Sequence, residues 1–151
     1  MRFRALFSVL APFAVSACGA SYDTSVPTVP AVSIEQTTFA ASLGVSLATS
    51  TKTATGLYYR DIVVGTGATI VAGSKLNVKY SGALANGTVF DAGTFAFTIP
   101  GQVIQGWNEG LLGMKVGGSR QLIIPSSLGY GAQGSGPIPP NAVLVFTVQP
   151  Q

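Results

Sequence analysis

Few side chains in this sequence could do chemistry, and their types narrow the choice of reaction. The chain of 151 residues has no histidine and a single cysteine, Cys18. Histidine-based general-base catalysis, Cys/His zinc sites and internal disulfides are therefore excluded. The remaining candidates include Tyr80, Asp91, Trp107 and Tyr130. Any catalysis must work without imidazole, and we expect no metal and no cofactor.

Taken one at a time, these candidates have ordinary structural interpretations. A lone tryptophan such as Trp107 is more often a core residue than a binding surface. Asp91, followed by Ala-Gly, would usually be a turn residue. Tyr130 lies between glycines and could anchor a loop, and Phe146 fits the core of a strand. Only their combination with other motifs would assign them to one pocket.

The composition indicates one mostly β domain. The length suits one domain better than two. Residues 57–64, 120–124 and 143–148 are apolar enough for strands, and residues 75–80 alternate with Leu76, Val78 and Tyr80 on one face. Asn86-Gly87 predicts a hairpin, followed by short strands at 88–90 and 95–99 with a break at 91–93.

One segment has helical spacing. In residues 107–114, Trp107, Leu111 and Met114 fall on one face, with Leu112 beside them. We therefore predict an α+β domain in which an antiparallel β-sheet wraps around one short α-helix.

Two binding functions are excluded. Nucleic-acid binding is suggested by the pI of 9.2, but two of the basic residues, Arg2 and Arg4, lie at the extreme N-terminus and the others are scattered. Nucleic-acid binding needs a clustered basic face, which this sequence does not have.

Dinucleotide binding is suggested by residues 129–134, which match the pattern G-x-G-x-x-G, but this pattern works only when a helix follows. Three prolines within residues 137–140 prevent that helix.

The N-terminus has the pattern of an export signal. Arg2 and Arg4 precede an apolar run at 5–15 that is too short to span a membrane, and small residues then lead to Cys18. The segment Val15-Ser16-Ala17-Cys18 is similar to a bacterial lipobox, which implies lipidation of Cys18. The alternative is ordinary signal cleavage nearby. Without aspartate after the cysteine, we expect an outer-membrane lipoprotein facing the periplasm if the cell has two membranes.

We therefore divide the chain into three parts. Residues 1–17 form the signal peptide, residues 18–43 a lipid-anchored tether and N-terminal extension, and residues 44–151 the folded domain. The first part of the extension, to about residue 31, is rich in Ser, Thr and Pro, which favours an extended spacer. For residues 34–43 the sequence leaves two possibilities open, a short helix or a segment docked on the domain.

Several motifs follow one another along the second half of the chain: VKYSG at 78–82 with GTVFD at 87–91, VIQGW at 103–107, GYG at 129–131 and IPPNAVLVF at 138–146. In this order and approximate spacing, they resemble the FK506-binding-protein (FKBP) family of peptidyl-prolyl cis-trans isomerases. The resemblance covers about residues 56–148. It implies an isomerase that acts on Xaa-Pro bonds of exported proteins and assists their folding.

The resemblance also implies the binding residues and their roles. Asp91, Tyr130 and Tyr80 would be catalytic, and the backbone N–H of Ile104 would donate to a substrate carbonyl. Proline-containing polypeptides would be the substrates, and macrolides such as tacrolimus and rapamycin possible inhibitors. No arginine follows Asp91 to pair with it as in well-known members. The implied pocket consists of Tyr80, Phe90, Asp91, Phe95, Val103, Ile104, Trp107, Tyr130, Ile138 and Phe146.

Two other functions remain open at this point. One is a non-catalytic module or holdase that uses the apolar pocket to bind proline segments or unfolded chains. The other is a structural or adhesive surface lipoprotein, which would need no aromatic pocket. Tyr80, Asp91 and Tyr130 together favour the enzyme over the holdase.

Overall fold

The computed structural model describes residues 30–151, which form a six-stranded antiparallel sheet and one short α-helix. The order of strands across the sheet is β1-β2-β5-β6-β3-β4. This confirms the predicted fold class. The elements are β1 (Thr51–Lys52), β2 (Tyr58–Val63), β3 (Lys75–Leu84), β4 (Val89–Thr98), α1 (Gln105–Gly110), β5 (Ser119–Ile124) and β6 (Leu144–Pro150).

The centre of the sheet is covered on both faces. Every residue of β5 is buried. Leu122 and Ile124 pack in the main core with α1, whereas Ile123 packs in a second cluster on the opposite face. A strand covered on both faces reads as a continuous apolar run, as residues 122–124 do. By contrast, β3 buries Leu76 and Val78 and exposes the alternate residues 75, 77 and 79, as its alternation predicts.

The predicted break at residues 91–93 is wrong, because β4 is continuous from Val89 to Thr98. The strand pairs with β3 throughout this region, with Gly82 opposite Asp91 and Tyr80 opposite Gly93. The irregularity is a shift in register at Phe90, since Ala83 pairs with Val89. A ten-residue partner strand supplies pairing that outweighs the weak strand preference of Asp91 and Gly93.

The helix is shorter than predicted and begins two residues earlier. Helix α1 ends at Gly110, and residues 111–113 form turns that include Gly113 at φ 75°. Leu111 and Met114 are nevertheless buried, whereas Leu112 is exposed. Close packing explains the glycines of α1: a Cβ at Gly106 or Gly110 would lie 2.6 Å from Ile124 or Leu122, respectively. These two positions let the helix lie directly on β5.

Residues 34–49 dock on the face of the sheet opposite α1. They contain three single 3₁₀ turns, at Ile34–Gln36, Ala41–Leu43 and Leu47–Thr49, followed by β1. Ile34 is buried in the second cluster. Packed structure thus extends back across the boundary predicted between residues 43 and 44. Of the two possibilities left open for residues 34–43, the structure shows a docked segment, which contains 3₁₀ turns.

The predictions for residues 1–29, including lipidation of Cys18, lie outside the described residues. Within residues 30–151, no helix is long and apolar enough to cross a membrane.

Candidate functional site

A cavity of about 470 Å³ opens between β3, β4, the N-terminal end of α1 and the loop that carries Tyr130. Nine of the ten residues predicted to form a pocket line it. The fold therefore brings together residues from positions 80 to 146 of the sequence. The lining consists of Tyr80, Phe90, Asp91, Phe95, Gln102, Val103, Ile104, Trp107, Tyr130 and Phe146.

The indole of Trp107 forms the floor. It is 4% exposed and makes edge-to-face contacts with Tyr80 and Phe146, at centroid distances of 5.1 and 5.4 Å. Phe90 makes a similar contact with Phe146 at 5.5 Å. Such contacts stabilise aromatic pairs beyond their buried area, by about 0.5–1.5 kcal/mol each. The result is a rigid apolar wall.

The tight ring packing depends on Gly82 of β3. A Cβ at this position would lie 2.5 Å from the Cε1 atom of Phe146 and 2.8 Å from the Cζ atom of Phe90. A side chain here must displace both of these rings, which line the cavity. The sequence motif contains Gly82, but only the cross-strand packing reveals why it is needed.

Asp91 is the only charged residue among those that line the cavity, and Tyr80 is its partner. The Tyr80 hydroxyl donates a 2.8 Å hydrogen bond to Oδ2 of Asp91. This hydrogen bond, followed by partial burial, raises the pKa of Tyr80 above its ordinary value. Tyr80 is therefore protonated at neutral pH, and it orients the carboxylate that the sequence analysis left without an arginine.

The loop before α1 is held by Asn108, which sequence reasoning missed. Its Oδ1 accepts a hydrogen bond from the Gly101 N–H at 2.8 Å, and its Nδ2 donates to the carbonyl oxygens of Gly101 and Val103 at 3.2 and 3.5 Å. An asparagine on a helix is also compatible with an exposed position, so no signal in the sequence identifies it. Asn108 fixes the wall formed by residues 102–104.

Ile104 offers backbone groups at the start of the helix. Its carbonyl accepts from the N–H groups of Trp107 and Asn108. Among residues 30–151, no acceptor is found for its own N–H. The first N–H groups of a helix have no partner within the helix, so this donor at the cavity wall can serve a bound carbonyl.

Tyr130 lies in a turn fixed by backbone bonds. The Gly131 N–H donates to the carbonyl oxygen of Ser126 at 2.8 Å, and the Gly134 N–H donates to the carbonyl oxygen of Tyr130. The Tyr130 side chain is partly exposed at the cavity, and within the described part of the chain its hydroxyl makes no hydrogen bond. It is therefore free to donate to a ligand. Residues 135–143 contain turns and no helix, which agrees with rejection of the dinucleotide motif.

Two residues differ from the predicted set. Ile138 does not line the cavity: it is 6% exposed and packs in the main core, because reciprocal backbone hydrogen bonds with Ser135 form a tight turn there. Gln102 does line the cavity, although it is outside the predicted set.

The site is suited to binding without bond cleavage. Residues 30–151 contain no group of three or more His, Cys, Asp or Glu that could hold a metal ion. The cavity combines an aromatic floor and one oriented carboxylate with hydrogen-bond donors that include the Tyr130 hydroxyl and the Ile104 N–H. Such a site can bind a compact apolar ring and hold the carbonyls on either side of it.

Comparisons with known proteins agree with this arrangement. A family model described as FKBP-type peptidyl-prolyl cis-trans isomerase matches residues 67–150. An FK506-binding protein of Neisseria meningitidis serogroup B is 47% identical over 102 residues, which cover 62% of this chain and 93% of that protein. FK506-binding protein 4 of Dictyostelium discoideum is 50% identical over 99 residues, and the chain spans only 27% of that longer relative.

Solved structures show the same likeness. AtFKBP13 has a TM-score of 0.63 and 37% identity, covering 67% of this chain and 95% of that one. FkpA from Escherichia coli has a TM-score of 0.63 and 36% identity, covering 68% of this chain and 50% of that one. The chain belongs to the FKBP-type peptidyl-prolyl cis-trans isomerase family.

Proposed function

We propose that this protein accelerates cis–trans isomerisation of Xaa-Pro bonds in exported polypeptides and so assists their folding. The observation that carries the proposal is the cavity, in which an aromatic floor surrounds one carboxylate held by Tyr80. Family membership supports the same activity.

The reaction needs no group that the cavity lacks. Rotation about a peptide bond faces a barrier of about 18–20 kcal/mol because resonance must be lost, and no covalent bond is broken. A catalyst must bind the twisted amide better than the planar one. A rate increase of about 10⁴ requires only about 5 kcal/mol of such preference.

The lining residues can supply this preference. The carbonyl oxygen of the twisted amide is less negative than that of the planar amide. The twisted amide therefore loses less hydration free energy when the aromatic wall replaces water. Trp107 would support the proline ring, while the Ile104 N–H and the Tyr130 hydroxyl hold neighbouring carbonyls. The field of Asp91 would act on the amide dipole as it changes during rotation.

A protease-free isomerisation assay on a Xaa-Pro tetrapeptide tests the activity directly. We expect catalysis well above the uncatalysed rate at micromolar enzyme. A folded protein that binds proline peptides without accelerating isomerisation would instead be a binding module or holdase. Titration with tacrolimus or rapamycin, monitored by Trp107 fluorescence, tests whether the cavity also accepts macrolides, as the names of the relatives suggest for those proteins.

We also propose that the protein is exported and anchored to a membrane through lipidated Cys18, in the outer membrane facing the periplasm where the cell has one. The support is the sequence of residues 1–19 alone, in which Gly19 rather than aspartate follows the cysteine. Intact-mass analysis should find Cys18 as the first residue with acyl chains attached, and Cys18→Ser should prevent acylation. A mature N-terminus downstream of Cys18 would contradict the anchor and leave the isomerase proposal untouched.

A further inference from the structure

Strand β4 forms one edge of the sheet, and its outer side is open in residues 30–151. β3 is its only strand partner there. The N–H of Ile99 donates to the carbonyl oxygen of Ser74, which directly precedes β3. Because inward and outward bonding alternate along an antiparallel strand, the odd-numbered residues 93, 95 and 97 bond to β3. The N–H and C=O groups of Ala92, Thr94, Ala96 and Thr98 therefore point away from the sheet.

Hydrogen bonding on the other side of β3 agrees with this alternation of odd- and even-numbered residues. The Gln151 N–H donates to the carbonyl of Asn77, so Asn77 bonds towards β6. Its neighbours Leu76 and Val78 then bond towards β4, where they pair with Phe97 and Phe95. No hydrogen bond from elsewhere in the described chain reaches the outward groups of β4.

Within the part of the chain that the structure describes, this edge lacks the features that usually prevent association. Proteins protect open edge strands with charged residues, prolines, bulges or a covering segment. Residues 92–98 read Ala-Gly-Thr-Phe-Ala-Phe-Thr, with no charge and no proline. The irregularity of β4 is confined to Phe90, before this stretch. An open, regular and uncharged edge is a template for one more strand.

The same strand lines the cavity. Asp91 and Phe95 contribute to the cavity wall, and an added strand would lie about 4.8 Å from β4. Residues 92–98 span roughly 20 Å, enough for about six residues of extended chain. A polypeptide whose proline occupies the cavity therefore passes beside free backbone groups. This continuity identifies the occupant as the substrate chain itself.

We propose that the outer edge of β4 binds the segment next to the prolyl bond of an unfolded substrate as an added β-strand. This inference rests on the proposed isomerase function and names its substrate class: extended polypeptides in which the residues beside proline have free backbone amides. Recognition through main-chain bonds is largely independent of sequence, which suits a folding catalyst with many clients.

The consequence is a difference in KM between long and short substrates. Strand pairing is the same for planar and twisted prolyl bonds, so it lowers KM and leaves kcat nearly unchanged. One backbone hydrogen bond changes affinity by a factor of about 2 to 10. With several bonds partly offset by chain ordering, we expect a peptide extended by six uncharged residues to have a KM about tenfold below that of the tetrapeptide.

The first test uses the unmodified protein. Extensions are placed before or after proline, and each is compared with a copy in which alternate backbone amides are N-methylated. N-methylation removes the donors and blocks pairing while keeping the side chains. We expect methylation in one of the two registers of one extension to abolish the gain in KM. A gain that survives methylation in both registers would overturn the proposal.

The second test changes the edge. Thr94→Pro removes one outward N–H at a position where an edge strand tolerates proline, and Thr94→Val keeps that N–H. The ratio of KM values for short and long peptides should fall towards one for Thr94→Pro and stay near wild type for Thr94→Val. If Thr94→Pro lowers the melting temperature strongly, the methylated peptides still decide the question.

The outcomes separate the two proposals. Absence of catalysis on the tetrapeptide would refute the isomerase function itself. Catalysis on the tetrapeptide with equal KM for long and short peptides would refute only the edge proposal. Sedimentation that shows a dimer disrupted by Thr94→Pro would assign the edge to a second copy of this chain and would also overturn it.

Discussion

The hydrogen bond between Tyr80 and Asp91 predicts how two substitutions should combine. Asp91→Ala removes the only charge of the cavity lining, and Tyr80→Phe removes the hydroxyl that lies 2.8 Å from Oδ2 of Asp91. If the hydroxyl acts by orienting the carboxylate, it has no function once the carboxylate is absent. The double variant should then be no slower than Asp91→Ala alone.

The expected losses follow from the exposure of the pair. A hydrogen bond to a charged group contributes about 1.5–3 kcal/mol, and solvent access at Asp91 places its catalytic effect at the lower end. We expect Asp91→Ala to lower kcat/KM about tenfold, or about 1.4 kcal/mol, and Tyr80→Phe about threefold. Melting temperatures should change little, because both substitutions keep most of the aromatic wall.

The assay is protease-free isomerisation of a Xaa-Pro tetrapeptide, with melting temperature measured on each variant. Tyr59→Phe is a matched control, since it removes a hydroxyl from a tyrosine that contacts Arg120 outside the cavity. Losses that add fully in the double variant would show that the Tyr80 hydroxyl acts independently of Asp91. Unchanged catalysis in Asp91→Ala would mean that the apolar wall suffices, and the role given to the carboxylate would be wrong.

Three further predictions concern the surroundings of the cavity. Gly82→Ala should displace the ring of Phe146, destabilise the fold by about 1–3 kcal/mol and weaken ligand binding, as seen by calorimetry and thermal unfolding. Asn108→Leu should raise KM more than it lowers kcat, because the loop at 101–103 loses its hydrogen bonds, while Asn108→Asp, which retains the acceptor, should show a smaller effect in the same kinetics. The pKa of Glu35 is lowered to about 2, chiefly by the Lys52 hydrogen bond. Its contribution to the free energy of unfolding is therefore complete above about pH 4.5 and is lost as the pH falls towards 2. Denaturant titrations should show the stability difference between wild type and Glu35→Gln shrinking over that pH range.

Local signals predicted the parts of the fold that local interactions determine. Residues 75–80 alternate because one face of β3 meets the core, and Asn86-Gly87 forms the β3–β4 turn, where Gly87 has φ 90°. The pocket residues were predicted through motifs, whose order reflects the topology. Periodicity and turn chemistry alone would have assigned Trp107 and Phe146 only to the core, where both are indeed buried.

Features that depend on distant partners were not predictable in this way. Continuity of β4 through residues 91–93 follows from pairing with β3, which no short window contains. The place of Ile138 depends on the turn at Ser135, and the function of Asn108 depends on a loop that precedes the helix. Docking of Ile34 required a second apolar face on the sheet, which the buried β5 provides.

The uninterrupted course of β4 after Asp91 connects the proposed chemistry with the proposed mode of substrate binding. Because residues 91–95 continue the strand, no loop within residues 30–151 covers the edge or brings a cation to Asp91. The carboxylate is instead oriented across the β3–β4 pair by the hydroxyl of Tyr80, which is a neutral hydrogen-bond donor. The outward backbone groups of the next residues stay open beside the cavity.

The same local geometry thus leaves Asp91 with a hydrogen-bond donor in place of a counter-ion, and it leaves an edge on which a polypeptide can extend. If this is correct, lengthening the chain after Asp91 should weaken binding of long substrates while Tyr80 still holds the carboxylate.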